Sequence, residues 1–140
     1  MMGYQLINRG GIMMARKAYE VKGSTASGPY SAAVDAGDLV YLSGQTAMNS
    51  ASAENISGDI GAQTELCFDH LFEALEAANL TPDDIVKVNV YLTDMKYFSA
   101  MNEVYATKFS KPYPARTCVA VLALPLGADV EIEAIAKKPD

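Results

Sequence analysis

Two stretches of the chain repeat their apolar residues with the period of an α-helix. The first covers 59–79 and the second covers 95–109. In both, apolar side chains recur at spacings of three and four, which places them on one helix face. They are Cys67, Leu71, Leu75 and Ala78 in the first stretch and Phe98, Met101, Tyr105 and Phe109 in the second. We predict two amphipathic helices, the first capped by Ser57 or Asp59.

Six further segments are rich in β-branched and apolar residues, which is typical of strands. They are 16–21, 31–36, 39–43, 85–92, 116–122 and 129–136. Gly37-Asp38 is a two-residue turn signal, so the segments on either side of it should form an antiparallel hairpin. Within 85–92 every second residue is apolar, and we expect one buried face there. That face consists of Val86, Val88, Val90 and Leu92.

The predicted element order is β-β-β-α-β-α-β-β, which indicates an α+β fold with a single mixed sheet. A helix connects 85–92 to 116–122, so these strands should be parallel, with both helices on one face of the sheet. Only a Leu-Pro-Leu-Gly break separates 116–122 from 129–136, and we expect these two strands to be adjacent. The strand 39–43 carries apolar residues on both faces, with Leu39 and Tyr41 on one face and Val40 and Leu42 on the other. The sheet face that the helices do not cover should therefore pack against other subunits.

Length and composition favour a single domain. With 140 residues the chain can bury an ordinary core without metal or disulfide bonds. The segment 1–13 shows no sustained period, and Met13-Met14 offers an alternative start, so we interpret 1–13 as a loose N-terminal extension of a domain covering 14–140. Two cysteines far apart in sequence form neither a zinc motif nor a disulfide framework, which favours the cytoplasm.

The charge balance narrows the set of partners. Eleven basic and seventeen acidic residues give a net charge of -6, and no basic patch is evident, so we expect no nucleic-acid partner. No apolar run approaches the ~18 to 20 residues of a membrane helix, so no membrane partner is expected either. The sequence also predicts no metal site and no cofactor.

Candidate chemistry is concentrated in 112–136. The alternation of a strand places Arg116 and Cys118 on one face, and it places Glu131 and Glu133 on one face of the following strand. Because these strands are expected to be adjacent, a cation and a carboxylate could both reach one cleft. This is a site hypothesis.

Several motifs make the chain resemble the RidA family, also called YjgF, over about 19–137. They are Gly-Pro-Tyr-Ser at 28–31, Ser-Gly-Gln at 43–45, Asp-Ile-Val-Lys at 84–87, Met-Asn-Glu-Val-Tyr at 101–105, and the run from Pro-Ala-Arg at 114–116 through Val-Glu-Ile-Glu-Ala at 130–134. The resemblance implies a homotrimer of chorismate-mutase-like subunits with clefts between neighbours. It further implies, in the deaminase branch, hydrolysis of 2-aminoacrylate-type enamines and 2-imino acids to 2-keto acids and ammonia.

The same resemblance implies the residues of the cleft, which are Tyr30, Ser43, Arg116, Cys118 and Glu131, with Gly44 and Asn102 lining it. Arg116 would anchor the substrate carboxylate, because a guanidinium offers two parallel hydrogen bonds that lysine cannot reproduce. Glu131 would activate the water that adds to the imine carbon. Cys118 would contribute its backbone and is not assigned as a nucleophile, while the hydroxyls of Tyr30 and Ser43 would hold water or the imine nitrogen.

Each candidate also has an ordinary structural interpretation. Arg116 could form a surface salt bridge, and Tyr30 could be a turn residue. Alternating glutamates are often solvated residues that protect an edge strand, which is the interpretation we favour for Glu133. Cys118 could be a small buried residue. His70 is expected at the surface, so we do not expect a Ser-His or Cys-His enzyme.

Two other functions stay open. Family resemblance also implies ribonuclease or translation-inhibitor activity for some members, but the acidic balance and the single histidine argue against phosphodiester cleavage. A module that binds small carboxylates without catalysis would use the same arginine. Release of ammonia from an imine distinguishes that module from a deaminase.

Overall fold

The computed structural model describes residues 3–5, 15–23, 28–48 and 56–140, with side chains from Arg16 onward. These ranges contain one sheet of seven strands and two α-helices, together with short 3₁₀ turns. The elements are β1 (Gly3–Gln5), β2 (Ala15–Tyr19), β3 (Ala33–Asp35), β4 (Leu39–Gln45), α1 (Ile60–Ala77), β5 (Ile85–Leu92), α2 (Phe98–Tyr105), β6 (Ala115–Ala120) and β7 (Val130–Lys137). The predicted α+β architecture is confirmed.

The strands are arranged in the order β1-β2-β3-β4-β7-β5-β6. The pair β5 and β6 is parallel, as predicted from the helix that connects them. The prediction that the last two strands are adjacent is wrong, because β5 lies between β6 and β7. The strand β7 pairs antiparallel with both β4 and β5. This central position buries Val130, Ile132 and Ala134, so β7 is not an edge strand and its glutamates do not protect an edge.

The predicted hairpin is present between β3 and β4. Asp35 pairs with Val40, and the Ala36 amide donates to the Leu39 carbonyl at 2.7 Å. This leaves Gly37-Asp38 as the two-residue turn, in which Gly37 has a φ of 98°. The register of β4 against β7 is irregular between Leu42 and Gln45, at the segment that carries two of the candidate site residues.

The N-terminal segment contains a short strand that the sequence did not predict. Gly3–Gln5 pairs antiparallel with β2 and forms the edge of the sheet. A strand of three residues is too short to show a period in the sequence, and the interpretation of 1–13 as a loose extension stays a prediction. The other residues of that segment lie outside the described ranges, and the boundary at 14 stays a prediction.

Helix α1 forms the centre of the core. The Asp59 side chain caps it by accepting a hydrogen bond from the Ala62 amide at 3.0 Å. The predicted stripe is buried against the sheet, with Phe68, Leu71 and Leu75 fully enclosed. Burying one such side chain contributes about 1.5–3 kcal/mol. Helix α2 packs on α1 and on the same side of the sheet, as predicted.

Two details of the predicted elements were wrong. The second helix ends at Tyr105, so Phe109 lies beyond it, although its ring is only 5.2 Å from the Tyr105 ring. The apolar period over 95–109 therefore reflects burial of these side chains in one aromatic cluster. It predicted a helix longer than the one observed. Val86 is 42% exposed because the register of β5 shifts between Ile85 and Lys87. Ile85 is buried in its place.

No element among the described residues covers the sheet face opposite the helices. Tyr41 and Val119 lie on this outer face, and both are nearly half exposed. The packing of this face against other subunits stays a prediction. A search of the described helices found none that is both long and apolar enough to cross a membrane.

Candidate functional site

The predicted site residues border two separate cavities of about 470 Å³ each. The Glu131 cavity is lined by Tyr30, Ser43, Gly44, Thr46, Pro125, Leu126 and Glu131. The Arg116 cavity is lined by Asn102, Tyr105, Ala106, Tyr113, Pro114 and Arg116. The structure thus brings four of the seven candidates together in one cavity and two in the other. Cys118 lines neither.

The two cavities belong to opposite faces of the sheet. Arg116 pairs with Val88, which is buried beneath the helices. Glu131 pairs with Tyr91 on the outer face. Since β5 also separates the two strands, Arg116 and Glu131 of one chain do not share a cleft. The expectation that one strand pair carries both groups into a single cleft is therefore wrong for a single chain.

Helix α2 and β6 together position the Arg116 guanidinium. Its Nη1 donates to Asn102 Oδ1 at 2.7 Å, and its Cζ lies 4.5 Å from the centre of the Tyr105 ring and 5.5 Å from that of Phe98. Such cation–π contacts hold the guanidinium plane in place. No aspartate or glutamate in the described ranges forms a salt bridge with Arg116. The cation therefore keeps donors for an external anion.

Gly44 makes room for the Glu131 carboxylate. A Cβ built on Gly44 would overlap Glu131 Oε2, closer than real Cβ contacts come. The close approach follows from the irregular register of β4 at this point. Burial raises the pKa of the Glu131 carboxyl, and the neighbouring charge of Glu133 raises it further. A raised pKa suits a group that accepts and returns a proton near neutral pH.

Glu133 has a supporting network of its own on the outer face. Asn89 Nδ2 donates to its Oε2 at 3.2 Å, and the Tyr91 hydroxyl donates to the same oxygen. The hydrogen bond to Glu133, with burial, raises the pKa of Tyr91 to about 12. Glu133 is therefore a hydrogen-bonded residue of a central strand, and our interpretation of it as a solvated edge residue is wrong.

The remaining predicted residues differ in how they reach the cavities. Ser43 Oγ donates to the Ser31 carbonyl at 2.6 Å, so its hydroxyl oxygen is left to accept a hydrogen bond from a ligand. Tyr30 is half exposed at the edge of the Glu131 cavity. Cys118 is partly buried beside the core. Burial raises the pKa of its thiol, and the charge of Arg116 opposes this only in part, which disfavours a reactive thiolate.

Several residues that line the cavities were not among the sequence candidates, and three of them, Thr46, Tyr105 and Leu126, have distinctive surroundings. Thr46 is buried, and its carbonyl lies 3.1 Å from His70 Nδ1, so the only histidine supports the loop behind Ser43. Tyr105 lines the Arg116 cavity, and its hydroxyl is buried with no hydrogen-bond partner among the described atoms. Its place in the apolar period of α2 had indicated only a core residue.

Leu126 is the third such residue, and its backbone is unusual. It has a φ of 60° and a ψ of 21° and is followed by Gly127 with a φ of 71°. The Ala128 amide closes the turn by donating to the Pro125 carbonyl at 3.1 Å. This left-handed conformation costs a non-glycine residue roughly 1–2 kcal/mol. The Leu-Pro-Leu-Gly signal predicts a turn here, but it does not predict the hand of the turn.

Other surfaces of the described residues are less suited to a small acid. A groove of about 490 Å³ between β2 and α1 contains Glu20, Glu73 and Glu76, with Lys22 as its only cation, and its excess negative charge would repel a carboxylate. Within the described ranges no group of three histidine, cysteine or acidic side chains is placed to hold a metal ion. The two cavities above are therefore the better candidates.

Comparison with known proteins identifies the family to which the chain belongs. Residues 22–138 match the family model described as Endoribonuclease L-PSP. The chain belongs to this family, which is also called YjgF or RidA. The match covers every α-helix and all strands from β3 onward, so the resemblance read from the sequence motifs is confirmed.

Individual RidA-family relatives agree with this assignment. A 2-iminobutanoate/2-iminopropanoate deaminase of Dermatophagoides farinae is 42% identical over 108 residues, covering 77% of this chain and 84% of its own. RidA from the Antarctic bacterium Psychrobacter sp. PAMC 21119 is 40% identical with a TM-score of 0.77, covering 88% of this chain and all of its own. TdcF of E. coli, solved with bound serine, is 36% identical with a TM-score of 0.78, and the match covers 88% of this chain and 99% of the TdcF chain.

Proposed function

We propose that this RidA-family protein hydrolyses 2-imino acids and their enamine tautomers to 2-keto acids and ammonia, in clefts shared between subunits of a homotrimer. One observation carries the proposal. The candidate anchor and the candidate base of one chain lie in separate cavities on opposite faces of the sheet. Each cavity has what the other lacks, so a complete site needs two chains.

The two cavities are chemically complementary. The Arg116 cavity contains a cation and no acidic residue, whereas the Glu131 cavity contains a carboxylate and no lysine or arginine. In a cyclic trimer each interface joins two different surface patches, so the Arg116 surface of one subunit can meet the Glu131 surface of the next. The exposed apolar residues of the outer face, Tyr41 and Val119, give such an interface area to bury.

Arg116 acts first, by binding and orienting the substrate. Its Nη1 is held by Asn102 and its plane by the Tyr105 ring. The remaining N–H groups can donate two parallel hydrogen bonds to the planar carboxylate of a 2-imino acid. A substrate held in this way presents its imine carbon in a fixed position, which lowers the entropic part of the barrier.

Glu131 then carries the proton transfers. The substrate reacts as its iminium form: Glu131, as a carboxylate, takes a proton from water while the water oxygen bonds to the imine carbon and the C=N π pair moves to nitrogen, which leaves a neutral amine. Glu131 returns that proton to the amine nitrogen, and the C–N bond then breaks. As ammonia leaves, Glu131 takes the proton of the hydroxyl group so that the carbonyl of the 2-keto acid forms, and this last proton passes to the departing ammonia. General acid–base catalysis of this kind typically contributes about 10²- to 10⁴-fold in rate. Ser43 and Tyr30 place hydroxyls beside this step.

Two relatives support the substrate class. The Dermatophagoides farinae protein is named as a deaminase of 2-iminobutanoate and 2-iminopropanoate, which are small 2-imino acids. The TdcF structure holds serine, whose carboxylate and nitrogen have the same relation as those of an imino acid. The family model is described by an endoribonuclease name, but the net charge of -6 and the residues of both cavities offer no cluster of cations for a phosphate backbone.

The proposal is tested by measuring ammonia and 2-keto acid from an imine generated in the assay by an amino-acid dehydratase or oxidase. The wild type should accelerate release, and Arg116→Ala should lose most of this activity. Arg16→Ala is the matched control, because Arg16 is an exposed residue of β2 that lines neither cavity. Wild-type protein that binds a 2-keto acid yet releases no ammonia would instead be a carboxylate-binding module.

A further inference from the structure

Leu126 combines three features that a loop residue seldom shows together. Its backbone is in the left-handed region, with a φ of 60°. Its side chain is 63% exposed in the chain although it is apolar. It lines the same cavity as the Glu131 carboxylate. Glycine, asparagine and aspartate are the residues that usually occupy such a turn, so a bulky apolar residue here points to a use for its side chain.

The surroundings of Leu126 indicate what it would contact. Pro125 and Tyr30 also line the Glu131 cavity, and no lysine or arginine lines it. Its volume of about 470 Å³ falls within the roughly 300–1,000 Å³ of ordinary small-molecule sites. An acid of three carbons would leave part of this space unfilled. An apolar side chain would fill it and bury the Leu126 side chain.

We propose that Leu126 forms a side-chain subsite of the cleft and selects 2-imino acids whose side chain is apolar and longer than methyl. The reaction in this inference rests on the proposed deaminase function. The selection of the side chain does not, because it is a matter of contacts and is measurable by binding alone. Acidic substrate side chains are disfavoured, since this side of the cleft offers Glu131 and no cation and the Arg116 of the neighbouring subunit is occupied by the substrate's own carboxylate.

The test replaces Leu126 by residues that keep the turn. Leu126→Asn and Leu126→Gly both tolerate a positive φ, so the fold should be retained. Leu122→Asn is the matched control, because Leu122 is 101% exposed and lines neither cavity. For each protein kcat/KM is measured with 2-imino-4-methylpentanoate and with 2-iminopropanoate, and the ratio of the two values reports selection of the side chain.

We expect the wild type to prefer the longer substrate. Both Leu126 variants should lower the ratio of kcat/KM values by roughly tenfold or more, the lower end of what one methylene discriminates in a hydrophobic pocket. The Leu122 variant should keep the wild-type ratio. If the ratio is unchanged in the Leu126 variants, whether or not both kcat/KM values fall equally, Leu126 does not select the substrate side chain.

A second measurement separates this inference from the proposed function. Calorimetry compares the binding of 4-methyl-2-oxopentanoate and pyruvate, which need no turnover. If the wild type releases no ammonia but binds the longer acid more tightly, and Leu126→Asn removes that preference, the deaminase proposal fails and the subsite stands. If ammonia is released and neither the wild type nor the variant distinguishes the two acids, the subsite is wrong and the deaminase stands.

Discussion

Arg116 and Glu131 have different tasks in the proposed reaction, so their substitutions should leave different kinetic signatures. Arg116→Lys keeps the charge but loses the planar fork and the contact with the Tyr105 ring, 4.5 Å away. It should weaken binding of 2-keto acids by about 1.5–3 kcal/mol, the range for charge-assisted hydrogen bonds. Glu131→Gln keeps the side-chain size, so binding should persist while turnover falls at least ~10²-fold. Calorimetry and steady-state kinetics measure the two effects. Wild-type turnover by Glu131→Gln would place water activation at another group.

Glu133 should contribute to the pH at which Glu131 becomes active. Burial is the larger cause of the raised pKa of the Glu131 carboxyl, and the negative charge of Glu133 raises that pKa further. Glu131 must be ionised to accept a proton. Activity is therefore lost as the pH falls through that pKa. Glu133→Gln removes the like charge, so the acid limb of the kcat/KM profile should move to lower pH. Glu73→Gln, on the exposed side of α1, should leave the profile unmoved. A shift to higher pH would mean that Glu133 acts chiefly through Tyr91.

At the scale of single residues, the sequence indicated which residues are candidates for the site better than it indicated what surrounds each of them. The signature from Pro114 through Ala134 identified Arg116 and Glu131, because motifs preserve the order of residues along a chain. Thr46 is distinguished by its burial and Leu126 by its left-handed backbone conformation. Both residues were missed because neither property follows from the residue type. The role of Glu133 was misread because its partners, Asn89 and Tyr91, come from a different strand.

The irregular register of β4 is the element-scale feature on which the Glu131 cavity depends. It brings the Gly44 backbone so close to Glu131 that the Cβ of Gly44→Ala would overlap Oε2. The carboxylate must move, and we expect kcat to fall at least about tenfold, as misplacement of a catalytic group does. Gly61→Ala is the control, since its Cβ meets nothing closer than 3.8 Å and helical alanine is favoured by up to about 1 kcal/mol.

Activity assays and thermal unfolding distinguish these outcomes. Gly61→Ala should keep kcat and raise Tm slightly. Gly44→Ala should keep its fold while losing activity. Full activity in Gly44→Ala would mean that the Glu131 carboxylate has no fixed position in the reaction.

Element types were predictable where the period was long, and element neighbours were not. The stripe of α1 and the Gly37-Asp38 turn are local signals, and both predictions were confirmed. The position of β7 between β4 and β5 depends on which strands pair with each other across the sheet. No local sequence pattern contains that information. Val86 and Phe109 show the same limit, because a register shift and an aromatic cluster displaced them from their predicted places.

At the scale of the whole molecule, the separation of the two cavities would make assembly part of the proposed mechanism. A cyclic trimer would join the Arg116 surface of each subunit to the Glu131 surface of the next. Each cleft then takes one of its two key residues from each of two chains. Inactive chains with different defects should therefore complement each other within one oligomer.

The most direct measurement co-expresses Arg116→Ala and Glu131→Gln chains with different affinity tags and isolates the hybrids through both tags. In every hybrid trimer one cleft of three combines an intact Arg116 with an intact Glu131, so ammonia release should recover to about one third of the wild-type rate. Light scattering should give a trimeric mass for each variant and for the hybrid. Hybrids that are trimeric and as inactive as either parent would contradict the shared cleft.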